Sequence, residues 1–326
     1  MRASTGRGGE AAGAPPDLAS RVGTVALANP VMTASGTSGH GAELSAYGDL
    51  ADLGAVVVKS LAAFPWEGNL PLRVAPVATG MVNSVGLTGP GVAAWIGEHL
   101  PSLNRSGARV VVSLWGRTAG EYGEAARQLE EALGQDSEDP SGIVAVEVNV
   151  SCPNTEDRGR MFAQSAGATA EAVAAVRNST SLPIWAKLTA AVADLNEIAG
   201  AALEGGAAAL TLVNTLPAMA VDIDLRRPVL GGVTGGLSGP ALHPVAVRCV
   251  FECRSAFPEA GIIGVGGVLC AADAIELLMA GADAVQVGTA TFVDPRAPWK
   301  IVEGIRQWCH QHSVSRLDEI KGAAHR

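Results

Sequence analysis

Aromatic side chains are scarce in this sequence: Phe, Trp and Tyr make up 4% of 326 residues, and the six tryptophans are scattered. That leaves no stacking platform for exposed nucleobases. Positive charge is also in deficit, with 23 Lys and Arg against 32 Asp and Glu and a formal net charge of −9. With no basic cluster, nucleic acid and anionic membrane are excluded as main partners. No run of about 18 apolar residues exists to span a bilayer. The first 20 residues lack the apolar centre of a secretory signal and read as a disordered tail. Cysteine is rare as well. Five widely spaced cysteines, an odd number, read as reduced thiols in a cytoplasmic protein. Cys249 and Cys253, four apart without further ligands nearby, suit a helix face, and no metal is expected. The chain also lacks a G-x-G-x-x-G strand–turn–helix for a nicotinamide and clustered cysteines for an iron–sulfur centre.

What is abundant is small and apolar: hydrophobic residues make up 48% of the chain, with 40 glycines. Short β-branched runs alternate with alanine-rich helical stretches from about residue 30 to residue 310, without a linker. Eight such runs stand at residues 29–35, 55–60, 110–116, 145–151, 183–189, 209–214, 262–267 and 284–290. Between them lie helical patterns such as "EYGEAARQLEEAL", "AEAVAAVRN", "LNEIAGAALEGG" and "DAIELLMAGA", the last two closed by glycine. Eight strand–helix units close most simply into a (β/α)8 barrel, with a doubly wound open sheet as the alternative. The expectation is one barrel domain over residues 21–310, flanked by tails at 1–20 and 311–326.

In such a barrel the chemistry sits at the C-terminal strand ends. Those ends carry Ser35, Lys59 and Ser60, Asn149 and Cys152, Lys187, Asn214 and Thr215, Gly266 and Gly267, and Gly288 and Thr289. Lysine and asparagine are costly to bury unpaired, so a ligand that satisfies them is the economical explanation. The glycine pairs leave backbone N–H groups bare, and the segment "VLCAADAIELL" after the first pair predicts a helix whose N-terminus completes a phosphate cradle. Phosphate-binding isomerases and lyases share such a cradle but need carboxylates or a Schiff-base lysine. No Asp or Glu stands at a strand exit, although Glu147 lies inside the fourth run. Acid–base work therefore falls to the thiol or a lysine, and two lysines among amides suit a flavin. The polar stretch from Thr155 to Ala168 is expected to form a lid loop.

Ten motifs in order carry a resemblance: "TASGTSGHG" (33–41), "VVVKS" (56–60), "GNLPLRV" (68–74), "NSVGLTGPG" (83–91), "NVSCPN" (149–154), "KLT" (187–189), "LVNT" (212–215), "GGLSGPA" (235–241), "VGGV" (265–268) and "AGADAVQVGTATFVDP" (280–295). From about Val31 to Asp294 the chain resembles the soluble class of dihydroorotate dehydrogenases, and within it the flavin subunit of the NAD-linked subtype. The resemblance implies that FMN contacts Ser35, Lys59, Ser60, Asn149, Lys187, Val213, Gly239, Gly266, Gly267, Gly288 and Thr289. It implies that substrate is held by Lys59, by Asn83, Ser84, Val85, Gly86 and Leu87, and by Asn149, Asn214 and Thr215, with Cys152 as the base. It further implies a homodimer joined by an FAD- and [2Fe–2S]-containing subunit into a heterotetramer, with fumarate as the alternative oxidant. A dihydropyrimidine dehydrogenase or a flavin-binding paralogue without turnover are the rival readings. Ser113, Gly89, Ala190 and Pro217-Ala218 depart from the family pattern, and His40 is assigned no role.

Overall fold

The computed structural model describes residues 14–135, 142–151 and 161–326. All eight predicted runs form strands: β1 (Val31–Thr33), β2 (Val56–Val57), β3 (Val110–Leu114), β4 (Ile143–Asn149), β5 (Ile184–Leu188), β6 (Ala209–Leu212), β7 (Gly261–Val265) and β8 (Ala284–Val287). They join one parallel sheet in the order β1-β8-β7-β6-β5-β4-β3-β2. A parallel bridge between Met32 and Ala55 brings β1 beside β2, so the sheet closes on itself as a (β/α)8 barrel. The apolar, β-branched character of these strands follows from burial on both faces, since helices cover the outside.

The helical patterns fold as expected. Helices α1 (Ala119–Gln135), α2 (Ala166–Arg177), α3 (Leu195–Glu204), α4 (His243–Ala256), α5 (Ala271–Met279) and α6 (Ala297–Gln311) wrap the barrel. Asp194 starts α3 by accepting from the N–H groups of Asn196 and Glu197, and Gly205 caps its end. Cys249 and Cys253 are buried on the inner face of α4. One expectation needs correction. The stretch from Thr155 to Ala168 is not a loop to its end: Phe162–Gln164 is a buried 3-10 turn, and Ser165 caps α2 by accepting from Ala168 N. Residues 155–160 lie outside the described residues.

The two mouths of the barrel are closed differently. At the N-terminal mouth a hairpin, Ser20–Val22 with Val25–Leu27, supplies Val22, Val25 and Leu27 to a core shared with Met32, Val57, Val111, Ala145, Trp185, Ala209, Ile263 and Ala284. Those last eight residues come one from each barrel strand, the inward positions of a period-2 pattern. Over the C-terminal mouth stands a four-stranded antiparallel sheet, ordered Leu216–Ala218, Gly235–Ser238, Gly80–Asn83, Val74–Val77, with its own core of Ala75, Val82 and Leu230. Beyond α6, Leu317 and Ile320 are buried in the main core, and Asp17 N donates to Ser315 O at 2.9 Å. Among the described residues no helix is long and apolar enough to cross a membrane, and no group of His, Cys, Asp and Glu is disposed to hold a metal.

Candidate active site

A cavity of about 460 Å³ lies between the C-terminal strand ends and the four-stranded roof. The strand ends bring Ser35, Lys59, Ser60, Asn149, Lys187, Val213, Asn214, Thr215, Gly266, Gly267, Gly288 and Thr289 to its wall. The roof adds Asn83, Ser84, Val85, Gly86, Leu87 and Gly239. Every described residue expected to contact cofactor or substrate therefore lines one space, although these residues are spread over more than 250 positions. Cys152, the expected base, lies outside the described residues.

The wall is a hydrogen-bonded belt. Ser113 Oγ and Ser60 Oγ stand 2.9 Å apart, Asn149 Nδ2 donates to Ser60 Oγ at 3.3 Å, and Asn214 Nδ2 donates to Asn149 Oδ1 at 3.1 Å. Tyr122 OH donates to the carbonyl of Asn149 at 2.7 Å, fixing the end of β4 from the helix side. Ser113, one of the departures from the family pattern, is fully buried and reaches the cavity only through Ser60. Overhead, Asn69 Nδ2 donates to Ser84 Oγ at 2.8 Å, and Asn83 Nδ2 donates to Gly236 O at 3.2 Å, so both roof segments are held in place. Gly236 has no alternative: a Cβ there would stand 2.0 Å from Thr215 Oγ1.

The glycine pairs meet at one end of the cavity. Gly267 has φ of +67°, and a Cβ on it would lie 2.7 Å from His243 Cβ and 2.9 Å from Gly239 O. The N–H groups of Gly267, Gly288 and Thr289 donate to none of the described residues. Beside them Thr289 Oγ1 donates to Ser238 Oγ at 2.8 Å. Open amides and hydroxyls in a cleft form a cradle for a phosphate. At the start of the helix after β7, Cys270 and Ala271 do not line the cavity, and Asp273 accepts from the N–H groups of Leu269 and Cys270 just before it. The residues after β8 turn instead into the four-residue helix Ala290–Val293 beside the cradle.

Under the belt lies a group that the strand-end reading missed. Lys187 Nζ donates to Gln286 Oε1 at 3.1 Å, to Ser35 Oγ at 3.3 Å and to Glu147 Oε1 at 3.4 Å, while Gln286 Nε2 donates to Glu147 Oε2 at 2.6 Å. Met81, Ser151, Met161, Ser238, Leu242 and Phe292 also line the cavity without having been anticipated. Ser151, Ser238 and Phe292 sit inside quoted motifs, so a signal for them existed. His40, in the loop after β1, has its pKa lowered to about 4, first by burial and then by the positive charges of His99 and Lys59, against the opposing pull of Glu43.

The family model for dihydroorotate dehydrogenase matches residues 17–308. Among relatives, the "Dihydroorotate dehydrogenase B (NAD(+)), catalytic subunit" of Geotalea daltonii is 44% identical over 310 residues, 95% of this chain and 99% of the relative. Proteins of the same name are similar at 46% over 300 residues in Desulforudis audaxviator (92% of this chain, 95% of the relative) and at 43% over 309 residues in Desulforamulus reducens (95% and 99%).

Proposed function

The chain belongs to the dihydroorotate dehydrogenase family, and from that premise we propose that it is the FMN-binding catalytic subunit that oxidises (S)-dihydroorotate to orotate in pyrimidine synthesis. The observation that carries the reading is the single cavity on which two lysines, three asparagines and an open amide cradle converge. The residues fit FMN. The amides of Gly267, Gly288 and Thr289 suit its phosphate, while Ser35, Ser60, Asn149, Lys187, Val213, Gly239 and Gly266 surround the space for its ring. When bound, FMN supplies a hydride acceptor at N5 for the hydrogen on C6 of the substrate.

The chain's own residues do the rest. Lys59 and the backbone around Gly86 hold the substrate carboxylate; Asn83, Ser84, Val85 and Leu87 close over it. Asn149, Asn214 and Thr215 fix the ring's amides, the two asparagine side chains already oriented by their mutual bond and by the backbone N–H of Thr215, which donates to Asn214 Oδ1. Cys152 takes the C5 proton on Sγ, as a thiolate. The names of the relatives, which specify NAD(+) and a catalytic subunit, support a second subunit as the route for electrons. We assign to it FAD and a [2Fe–2S] centre, bound to a homodimer of this chain in the cytoplasm. The exposed apolar side chains Leu70, Met219, Ile223 and Leu225 on and beside the roof suit a surface that is covered in such an assembly.

The test is spectroscopic. The purified chain should be yellow with bound FMN, bleach anaerobically with dihydroorotate far faster than with dihydrouracil, and reduce dyes but not NAD⁺ until the second subunit is added. A colourless protein that takes up no FMN overturns the reading.

A further inference from the structure

Glu147 and Gln286 are fully buried in the barrel, on strands β4 and β8, which stand on opposite sides of the closed sheet. Their 2.6 Å hydrogen bond therefore crosses the barrel interior, directly beneath the cavity. Neither lines the cavity; Lys187 and Ser35 do. All three protons of the Lys187 ammonium are engaged, by Ser35, Glu147 and Gln286. Stability does not account for this arrangement, because replacing a buried ion pair with well-packed apolar residues is often neutral or stabilising. One inward step down the same strand, at Ala145, the barrel is filled by an apolar side chain.

We propose that Glu147 is a positioning residue that sets the reduction potential of the cofactor above it, by anchoring Lys187 across the barrel and cancelling most of its charge. The inference rests on FMN occupying the cavity. Two-electron reduction leaves negative charge on the flavin ring at neutral pH. An uncompensated ammonium beneath the ring stabilises that charge strongly, since Coulomb terms are large where water is excluded. The result is a cofactor that holds its electrons. With Glu147 paired to Lys187 at 3.4 Å, the field at the ring is that of a dipole rather than of a full charge. Reduced FMN then gives its electrons up more readily to the next carrier. Gln286 bonds both partners and keeps the pair from turning toward the cavity.

The experiment measures the midpoint potential and FMN affinity of the flavin-loaded wild type and of Glu147→Gln. The variant is expected to favour reduced FMN at least tenfold more than wild type does, an upward shift of about 30 mV for a two-electron couple. An unchanged or lowered potential overturns the proposal, including the case in which affinity alone falls, as a purely structural role would give. Should Glu147→Gln not fold, Lys187→Met is compared with Glu147→Gln/Lys187→Met from pH 6 to 9. A carboxylate acting on the ring makes the single variant lower in potential, or steeper in its pH dependence, than the double. Identical curves overturn the proposal. Wild-type protein that takes up no FMN removes the functional reading itself, whereas unmoved potentials on loaded protein remove only the role of Glu147.

Discussion

The floor and the mouth of this barrel are built from the same strands, a few ångströms apart, and differ in nearly every side chain. Two residues along each strand return to the same inward face. On β3 that step leads from Val111 to Ser113, on β4 from Ala145 to Glu147 and then Asn149, on β5 from Trp185 to Lys187, and on β8 from Ala284 to Gln286. On these four strands the chain is apolar inward at the floor and polar inward at the mouth. Floor residues pack against each other and the hairpin; mouth residues bond to each other and face a cavity. Apolar packing fills one end and a cavity opens at the other, so substitutions at the two ends should fail in different ways.

The largest effect is expected at the mouth. Cys152→Ala should keep its FMN and its thermal stability yet slow flavin reduction by roughly 10²–10⁴-fold, the usual contribution of a positioned base; near-normal stopped-flow rates would remove Cys152 from the mechanism. The converse holds at the floor. Trp185→Ala removes a fully buried ring and should cost about 3–5 kcal/mol in denaturant unfolding. The fraction still folded should bind FMN like wild type, and a selective loss of FMN affinity instead would dissolve the division between the two ends.

Lys59→Met sharpens the comparison within the mouth. A charge-assisted bond from the ammonium to the substrate carboxylate contributes roughly 1.5–3 kcal/mol, so orotate affinity should fall about 10–150-fold while uracil affinity changes little. Equal losses in a titration of both ligands would mean that Lys59 serves the cofactor alone.

The smallest effect is a pH dependence. His40 has a pKa of about 4 in the folded chain against an ordinary value of 6.5. Acid therefore protonates the unfolded chain first, and the stability contributed by neutral His40 is complete above about pH 6.5 and lost as pH falls toward 4. His40→Phe should flatten that part of the melting-temperature profile relative to wild type. Parallel profiles between pH 7 and 4.5 would count against it.

The eight strands and the helices between them were legible in the sequence because apolar β-branched runs and glycine-closed helices both carry local signals. So were Lys59, Asn149, Lys187 and Asn214, since a polar residue at the end of an apolar run needs a partner. Glu147 was visible as a carboxylate inside an apolar run. Its partner was not: parity places it inward, but only closure of the barrel brings Gln286 across to it. The four-stranded roof escaped for a different reason. Its strands are rich in glycine, with Pro76 and Pro217 in two of them, and so read as loops. The glycine pairs read from the sequence line the cavity, whereas Cys270 and Ala271 at the start of α5 do not.

The roof also fixes an order of events during synthesis of the chain. Asn83 and Gly236, which pair in it, are 153 residues apart. A ribosome releases the chain from the N-terminus at about 5–20 residues per second, so the first half of the roof waits on the order of ten seconds or more for the second. Throughout that interval the nascent chain exposes an unpaired strand edge at Gly80–Asn83, of the kind other chains can add to. Completion of the cavity under the roof is therefore a late event in the synthesis of the chain.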